Sequence, residues 1–538
     1  MFNNLLLFSG NLRPGTEVEV TSRDTYASHP CSRDCVKGET LTCYYEFIVE
    51  AFETLSKACY DCPRNETDCF RPHCVQGDGM KRSIVVVNRM MPGPTIEVCL
   101  NDTIIVDVKN HLMSEGTTIH WHGIHQRKTP YMDGVPHISQ CPIGPGNTFR
   151  YNFNAENQGT HFWHSHIGMQ RGDGVYGALI VKIDNDPQES FYDFDMSEHL
   201  VLTNDWTHMP ATAVFTSHYH GKGDNKPGSI LVNGRGKYYG KMTPPEQTED
   251  AKLSIKVEEK VILNNFGENS VQLNKSIDDI ITTSIAPELP ITLNIINSPF
   301  LKSENSTLNY NVNHSEDHLE RKKRQLMPPS DDSVLVPLEV FNVVQGNRYR
   351  FRHINAGFLN CPVEISIDNH TFTVIASDGN NIVPVQATFL VTYAGERWDI
   401  VIHANQAIGN YYMRFRGLMD CDERFTSAFQ MAILHYQGSP YENPHNITPG
   451  YNLTREGMQI NALNRGSGMN DSITMAELQS IEANKSESIT KQDADYKFYI
   501  SYDFYPKDNP LFHVTDLYGF EQGTIHNILY IIYSHLSD

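Results

Sequence analysis

An internal repeat constrains the fold of this chain more than any other feature of its sequence. Segment 96–110, IEVCLNDTIIVDVKN, matches segment 341–355, FNVVQGNRYRFRHIN, at a shift of 245 residues. Segment 159–166, GTHFWHSH, matches segment 409–416, GNYYMRFR, at a shift of 250 residues. Self-similarity of this kind indicates that one structural unit occurs twice in the chain.

The repeated unit has the pattern of an all-β fold. From Lys81 onward, short runs rich in β-branched and aromatic residues alternate with turns rich in Pro and Gly, which predicts a β-sandwich or barrel. The predicted strands are Ser83–Asn88, Thr95–Leu100, Thr103–Val108, Thr117–Trp121, Phe149–Phe153, His161–His164 and Gly177–Ile183. Ahead of them, one helix is predicted over Tyr44–Lys57.

Further β-rich stretches extend the same architecture along the chain. A second region opens at Leu200 and closes near Tyr436, and a third begins at Tyr496–Tyr505. We therefore predict tandem Greek-key β-sandwiches, two complete and the start of a third. The predicted divisions are a cysteine-rich leader at 1–77, a first sandwich at 78–190, a second at 191–440 with a polar insert at about 238–332, and a linker with the start of a third at 441–538.

The cysteines crowd towards the front of the chain, where nine of the eleven precede residue 142. Such clustering predicts a disulfide framework formed in an oxidising compartment, and hence a secreted protein, with one cysteine left without a partner. A small zinc knot at Cys59, Cys62, Cys69 and Cys74 is the alternative. Ten Asn-x-Ser/Thr sequons agree with secretion and glycosylation, although the first ten residues show no convincing signal peptide.

The net charge of −21 argues against nucleic acid and anionic membrane surfaces as partners. No run of the sequence approaches the ~18 apolar residues of a membrane helix. We expect a monomer. The basic run 321–324 is interpreted as a solvated loop inside the polar insert, with a processing site as the alternative.

Two His-x-His pairs are the strongest chemical signal, His120-Trp121-His122 and His164-Ser165-His166. Each pair lies in a predicted strand, so both of its imidazoles point to one face, roughly 6–7 Å apart at ~3.3 Å per residue. That separation suits two neighbouring ions that take one imidazole each. Imidazoles without a thiolate favour copper or zinc over magnesium or calcium.

The repeat shows that the fold does not require these histidines. By the two shifts, the equivalent positions in the second unit are Ile365, Ile367, Arg414 and Arg416. Nearby, Asp133 is a candidate carboxylate that orients a ligand or relays protons. We expect hydrogen-bonding roles for His125 and His137, a surface position for His218-Tyr219-His220, and a structural turn with an ion pair at 395–399.

Several motifs resemble those of multicopper oxidases. HWHGIHQ at 120–126, MDGVPHISQCPI at 132–143 and GTHFWHSH at 159–166 are similar to the first-domain copper motifs of that family. PGPTI at 92–96, GERWD at 395–399 and the cysteine-rich leader most resemble an insect-type laccase. The resemblance covers roughly residues 30–510 apart from the insert, and it implies three cupredoxin sandwiches.

The resemblance also implies an activity and roles for the histidines. A type 1 copper would take electrons from diphenols or catechols and pass them to a trinuclear copper cluster, where dioxygen becomes water. His120 would ligate the type 2 copper, and His122, His164 and His166 the type 3 pair. Asp133 would be the acid beside the cluster. Cys141 would bridge to the far C-terminal segment.

The C-terminal part departs from the family pattern. No cysteine follows Cys421, and the histidines after His445 are the isolated His513, His526 and His535. We therefore expect a chain truncated within the third sandwich, without the type 1 site and half of the cluster, and with activity absent. The alternatives are an inactive copper-binding or interaction protein made of the first two sandwiches, and a mononuclear zinc hydrolase. The hydrolase is disfavoured because two His-x-His pairs exceed the needs of one ion.

Overall fold

The structure is a computed structural model of the chain. It describes residues 29–220, 226–238, 336–359, 361–418, 428–440, 444, 457–462 and 471–481, with the backbone of 514–515 and 521–522. These residues belong to one compact unit. The predicted start of a third sandwich at Tyr496–Tyr505, the basic run 321–324 and nearly all of the polar insert lie outside the described residues.

Strands dominate the described part of the chain. The first sandwich contains β1 (Thr42–Glu53), β2 (Ser83–Val87), β3 (Ile96–Cys99), β4 (Thr103–Asn110), β5 (Ile119–His122), β6 (Thr148–Asn154), β7 (Gly159–Ser165) and β8 (Tyr176–Lys182). The second contains β9 (Phe194–Trp206), β10 (Ser229–Val232), β11 (Val340–Val343), β12 (Arg348–Asn355), β13 (Val363–Ile367), β14 (Phe372–Ser377), β15 (Asn380–Ala387), β16 (Phe389–Thr392), β17 (Arg397–His403), β18 (Asn410–Gly417) and β19 (Phe429–Tyr436). The later strands are β20 (Gln459–Ile460), β21 (Ser472–Ile473), β22 (Val514–Thr515) and β23 (Glu521–Gln522), and the helices are α1 (Glu66–Cys69) and α2 (Ala211–His220).

The two sandwiches repeat one topology. The sheet β2-β1-β4-β6 of the first corresponds to β10-β9-β12-β17 in the second, and β3-β8-β7-β5 corresponds to β11-β19-β18-β13. Strand directions agree as well, because β1 runs parallel to β4 as β9 does to β12. The prediction of a duplicated β unit from the sequence repeat is therefore confirmed.

The helix predicted over Tyr44–Lys57 is wrong. Most of that segment is β1, whose Tyr45, Phe47 and Val49 are buried while the residues between them are partly exposed. A period of two is the strand pattern, and it places these three side chains in the core of the first sandwich. Pairing with β4 and β2 stabilises the strand, so part of the predicted leader belongs to the first sheet.

Two disulfides tie the cysteine-rich segment to strands of the first sandwich, and two more lie within the segment. The four bonds are Cys31–Cys43, Cys35–Cys99, Cys59–Cys74 and Cys62–Cys69. The zinc-knot alternative is therefore wrong, because all four of its cysteines are in disulfides. Cys141 is exposed and is the free cysteine among the described residues.

The sandwiches pack against each other through an apolar cluster and a buried ionic cluster. The apolar cluster includes Phe162, Tyr176, Leu202, Trp206 and Ile354. In the ionic cluster, Asp399 of β17 pairs with Arg350 and Arg352 of β12. The Thr160 hydroxyl of β7 donates to Asp399 at 2.6 Å and accepts from Arg352 at 2.8 Å. The second sandwich thus holds the beginning of β7.

No helix in the described part of the chain is long and apolar enough to cross a membrane.

Candidate metal centre

The histidine pairs lie on adjacent antiparallel strands. In the register of β5 and β7, His120 faces His164, Trp121 faces Trp163 and His122 faces Phe162. Both tryptophans are fully buried in the core of the first sandwich. A slip of one residue would move them out of the core, so their burial specifies the register that aligns the histidines on the opposite face.

The four imidazoles converge. One ring nitrogen from each of His120, His122 and His164 lies within 4.8 Å of the others. The closest approach is 3.3 Å between Nδ1 of His122 and Nε2 of His164. His166 is exposed at the edge, with its ring centroid 5.4 Å from that of His120 and 5.8 Å from that of His164.

Main-chain carbonyls orient two of these rings. Nδ1–H of His120 donates to the carbonyl oxygen of Asp133 at 2.7 Å, and Nδ1–H of His164 donates to that of Ser165 at 2.8 Å. These hydrogen bonds select the tautomer in which Nε2 carries the free lone pair. His122 differs, because its Nδ1 faces the group.

The surroundings keep three of the imidazoles, those of His122, His164 and His166, in the neutral form. Burial, together with the charges of Arg397 and His120, lowers the pKa of His122 to about 2. Burial also holds the pKa of His164 well below its ordinary value, and burial and His120 lower that of His166. Neutral imidazole is the form that binds metal ions.

Asp133 lies beside the group at its partly exposed rim. Its Oδ1 is 3.4 Å from Nδ1 of His120, and one third of its side chain is exposed. Gly134 permits this approach, because a Cβ at that residue would lie 1.7 Å from the carbonyl oxygen of Ile119. The turn 132–134 can therefore press against β5 only with glycine at that position.

The other histidines that the sequence singled out lie elsewhere. His125 and His137 are exposed and do not belong to the converging group. His218-Tyr219-His220 lies at the end of helix α2 and not in a polar loop as expected. The strand geometry that places residues i and i+2 on one face therefore does not apply to this motif.

The second sandwich carries no imidazole at the equivalent positions. Ile365 and Ile367, which the sequence shift equates with His120 and His122, lie in its core on the face that corresponds to Trp121 and Trp163, so that equivalence is off by one residue. The opposite face presents Glu364 and Ser366 across from Arg416 and Arg414, and these arginines form ion pairs with Glu364 and Asp368. The same sheet thus folds there with polar and ion-paired side chains in place of the histidines.

Two family models of multicopper oxidases match the chain, one over residues 71–186 and one over residues 300–439. Laccase-2 of Botryotinia fuckeliana is 30% identical over 370 residues, which are 69% of this chain and 48% of the relative. Laccase-1 of Cryptococcus neoformans is 46% identical over 168 residues, 30% of this chain and 26% of the relative. The chain belongs to the multicopper oxidase family.

A solved structure supports the same assignment. A mutant of the laccase from B. aclada is 25% identical to this multicopper oxidase chain, with a TM-score of 0.50 and coverage of 80% of this chain and 60% of that one. The predicted cupredoxin-like all-β fold is confirmed. The chain spans about half the length of the curated relatives it matches.

The donor set fits the copper that multicopper oxidases use. The converging group consists of imidazoles, and it contains no thiolate or carboxylate among the described residues. Imidazole suits copper, and the carbonyl partners of His120 and His164 supply the outer support that metal-binding imidazoles need.

Sequence reasoning missed the aromatic and cationic groups behind the histidines. The Phe162 ring stacks on His122 at 4.5 Å between centroids and lies 5.0 Å from His164. The Arg171 guanidinium lies 5.2 Å from the Phe162 ring, and burial lowers the pKa of Arg171 to about 10. The sequence offered one signal for Phe162, because this residue lies two positions before His164 and therefore on the same face of the strand.

Proposed function

We propose that this chain provides the dioxygen-side copper ligands of a laccase-type oxidase. The observation that carries the proposal is the convergence of His120, His122 and His164, whose ligand nitrogens lie within 4.8 Å of one another. The proposed substrates are diphenols or catechols, and the proposed co-substrate is dioxygen. The family and the laccase relatives support both assignments.

Within this proposal, His120 holds the type 2 copper and His122, His164 and His166 hold the type 3 pair. Copper, when bound, supplies the one-electron chemistry that joins phenol oxidation to the four-electron reduction of dioxygen. The carbonyl of Asp133 keeps Nε2 of His120 available as the ligand atom. Buried Phe162 excludes water from the inner side of His122 and His164.

Dioxygen reduction to water consumes four protons as well as four electrons, so the site needs a route for protons. The Asp133 carboxylate is partly exposed and lies next to the His120 ring. We propose that it takes protons from solvent and relays them to the oxygen side of the site.

The type 1 site is assigned to residues outside the two sandwiches. A type 1 copper needs a cysteine thiolate, and the free cysteine of the described residues, Cys141, is exposed and outside the histidine group. We therefore expect the two sandwiches to bind copper without the blue absorbance of a thiolate-bound copper. The disulfides support the proposal that the protein is secreted.

Copper binding tests the proposal. The purified chain is loaded with copper and dialysed, and bound copper is measured by atomic absorption and electron paramagnetic resonance. We expect retained copper in the unsubstituted protein, its loss in His120→Ala/His164→Ala, and wild-type retention in His218→Ala/His220→Ala, the control for the other His-x-His motif. Equal amounts of retained copper in the two double variants would refute the assignment of His120 and His164 as copper ligands.

Measurement of oxygen consumption with a catechol distinguishes the proposed oxidase from the alternative, an inactive copper-binding protein. Copper binding without oxygen consumption would favour the copper-binding protein over the oxidase for this chain. Selective retention of one zinc ion per chain would favour a zinc site.

A further inference from the structure

The imidazole of His122 lies next to the second sandwich, whose described residues contribute no ligand to the converging group. We infer that the turn at Gly395–Arg397, which follows β16 and leads into β17, is a positioning element that orients His122 for metal binding. This inference rests on the proposed function, because it assigns a role towards the same copper ligands.

Gly395 lies beside the tip of the His122 ring and leaves little room there for a side chain. An added Cβ at Gly395 would lie 3.2 Å from Cε1 and 3.6 Å from Nε2 of His122. Phe162 covers one face of the same ring at 4.5 Å. With its tip beside Gly395 and one face covered by Phe162, the ring directs Nδ1 towards Nε2 of His164 at 3.3 Å. This placement explains why His122 presents Nδ1 where His120 and His164 present Nε2.

Hydrogen bonds fix the turn within the second sandwich and join it to the first. The N–H of Gly395 donates to the carbonyl of Asn355 at 2.8 Å, and Nη1 of Arg397 donates to the carbonyl of Gly395 at 3.0 Å. Nε of the same Arg397 donates to the carbonyl of Thr160 in β7 at 3.1 Å. Arg397 therefore links the turn that lies beside His122 to the strand that carries His164.

Arg397 is itself fixed in place. Its guanidinium pairs with Asp378 at 2.8 Å and is nearly fully buried. Metal ligands must be held to within about 0.5 Å of their productive positions, and loss of an outer support typically weakens metal affinity roughly 10- to 100-fold. The approach at Gly395 is close enough for a single methyl group to displace the ring.

A matched pair of glycine variants tests the inference. Gly395 has a φ of +96° and Gly346 of the same sandwich has a φ of +95°. Alanine brings the same backbone strain at both residues, but an added Cβ at Gly346 meets nothing within 4 Å, whereas at Gly395 it presses on His122. The two variants thus differ in the contact and not in the backbone conformation.

We expect Gly395→Ala to weaken copper affinity roughly 10- to 100-fold, measured by competition with a chelator. Gly346→Ala should keep wild-type affinity, and both should lower the thermal midpoint by similar amounts. Copper affinity in Gly395→Ala equal to that of Gly346→Ala would overturn the inference. In that case copper binding by the unsubstituted protein would leave the proposed function standing.

A metal-free readout separates the two hypotheses further. A crystal structure of Gly395→Ala without copper should show the His122 ring displaced, and an unmoved ring would overturn the inference whatever the copper result. Should Gly395→Ala fail to fold, Arg397→Lys replaces it, with Arg414→Lys as the control because Arg414 pairs with Asp368 away from the histidines. Only Arg397→Lys should lower copper affinity, and equal affinity in the two lysine variants would overturn the inference.

Discussion

Arg350 and Arg352 share two carboxylates in the buried cluster between the sandwiches, Asp399 and Asp195, and replacement of Asp399 by alanine removes the more deeply buried one. Asp399 is 1% exposed, and the two arginine side chains are 3% and 5% exposed. The variant leaves two buried cations with less compensating charge and removes the acceptor of the Thr160 hydroxyl.

The expected loss of stability follows from this burial. Removing one partner of a buried ion pair costs about 3–5 kcal/mol, because the remaining charge stays desolvated. The exposed pair of Arg150 and Asp107 provides the control, with side chains 54% and 27% exposed. Removing a partner from an exposed pair costs about 0–1 kcal/mol.

Urea unfolding, followed by tryptophan fluorescence, measures the free energy of unfolding of both variants. All four tryptophans are fully buried and they lie in both sandwiches, so their emission reports unfolding of either one. We expect Asp399→Ala to lower the free energy of unfolding by about 3–5 kcal/mol and Asp107→Ala by no more than ~1 kcal/mol. Equal losses in the two variants would refute the reasoning from burial.

Three further predictions use other parts of the fold. The Cys35–Cys99 bond spans 64 residues and the Cys62–Cys69 bond spans 7. Replacing the first pair by serines should therefore cost about 4 kcal/mol and the second about 2 kcal/mol in denaturant unfolding, and the reverse order would contradict the chain-entropy account. Burial raises the pKa of Asp205 to about 6, so its contribution to stability is full below pH 3.8 and is lost as pH rises through about 6. The free energy of unfolding relative to Asp205→Asn should fall by roughly 3 kcal/mol over that window, and a flat difference would exclude the shift. Gly159→Ala would place a Cβ 2.5 Å from Cα of Gly379, so we expect a lower thermal midpoint and loosened packing between the sandwiches, and an unchanged midpoint would show that the backbones can separate freely.

Strands could be predicted from the sequence where the residue pattern of a strand and the turn residues that bound it agreed. The seven predicted strands of the first sandwich lie within two residues of the observed bounds at every end. β1 was not accessible, because its apolar run also fits a helix and its partners β2 and β4 lie far along the chain. Pairing with those strands decided its conformation.

The candidate site, like the fold, could be predicted from the sequence only in part. The spacing of each His-x-His pair placed two imidazoles on one strand face, and the repeat showed that the fold does not depend on them. The sequence could not reveal that Gly395 lies beside His122 or that Arg397 binds the strand of His164. Those contacts join residues of different sandwiches.

The sequence by itself therefore determined the duplicated β architecture, the disulfide-rich front and the four histidines that can bind metal. The tertiary structure decided which histidine nitrogens converge, how Asp133 reaches His120 and which residues hold His122 in place. The physical reason is that alternation along a strand is set by neighbouring residues, whereas register and contacts between sandwiches depend on the burial of side chains such as Trp121 and Trp163.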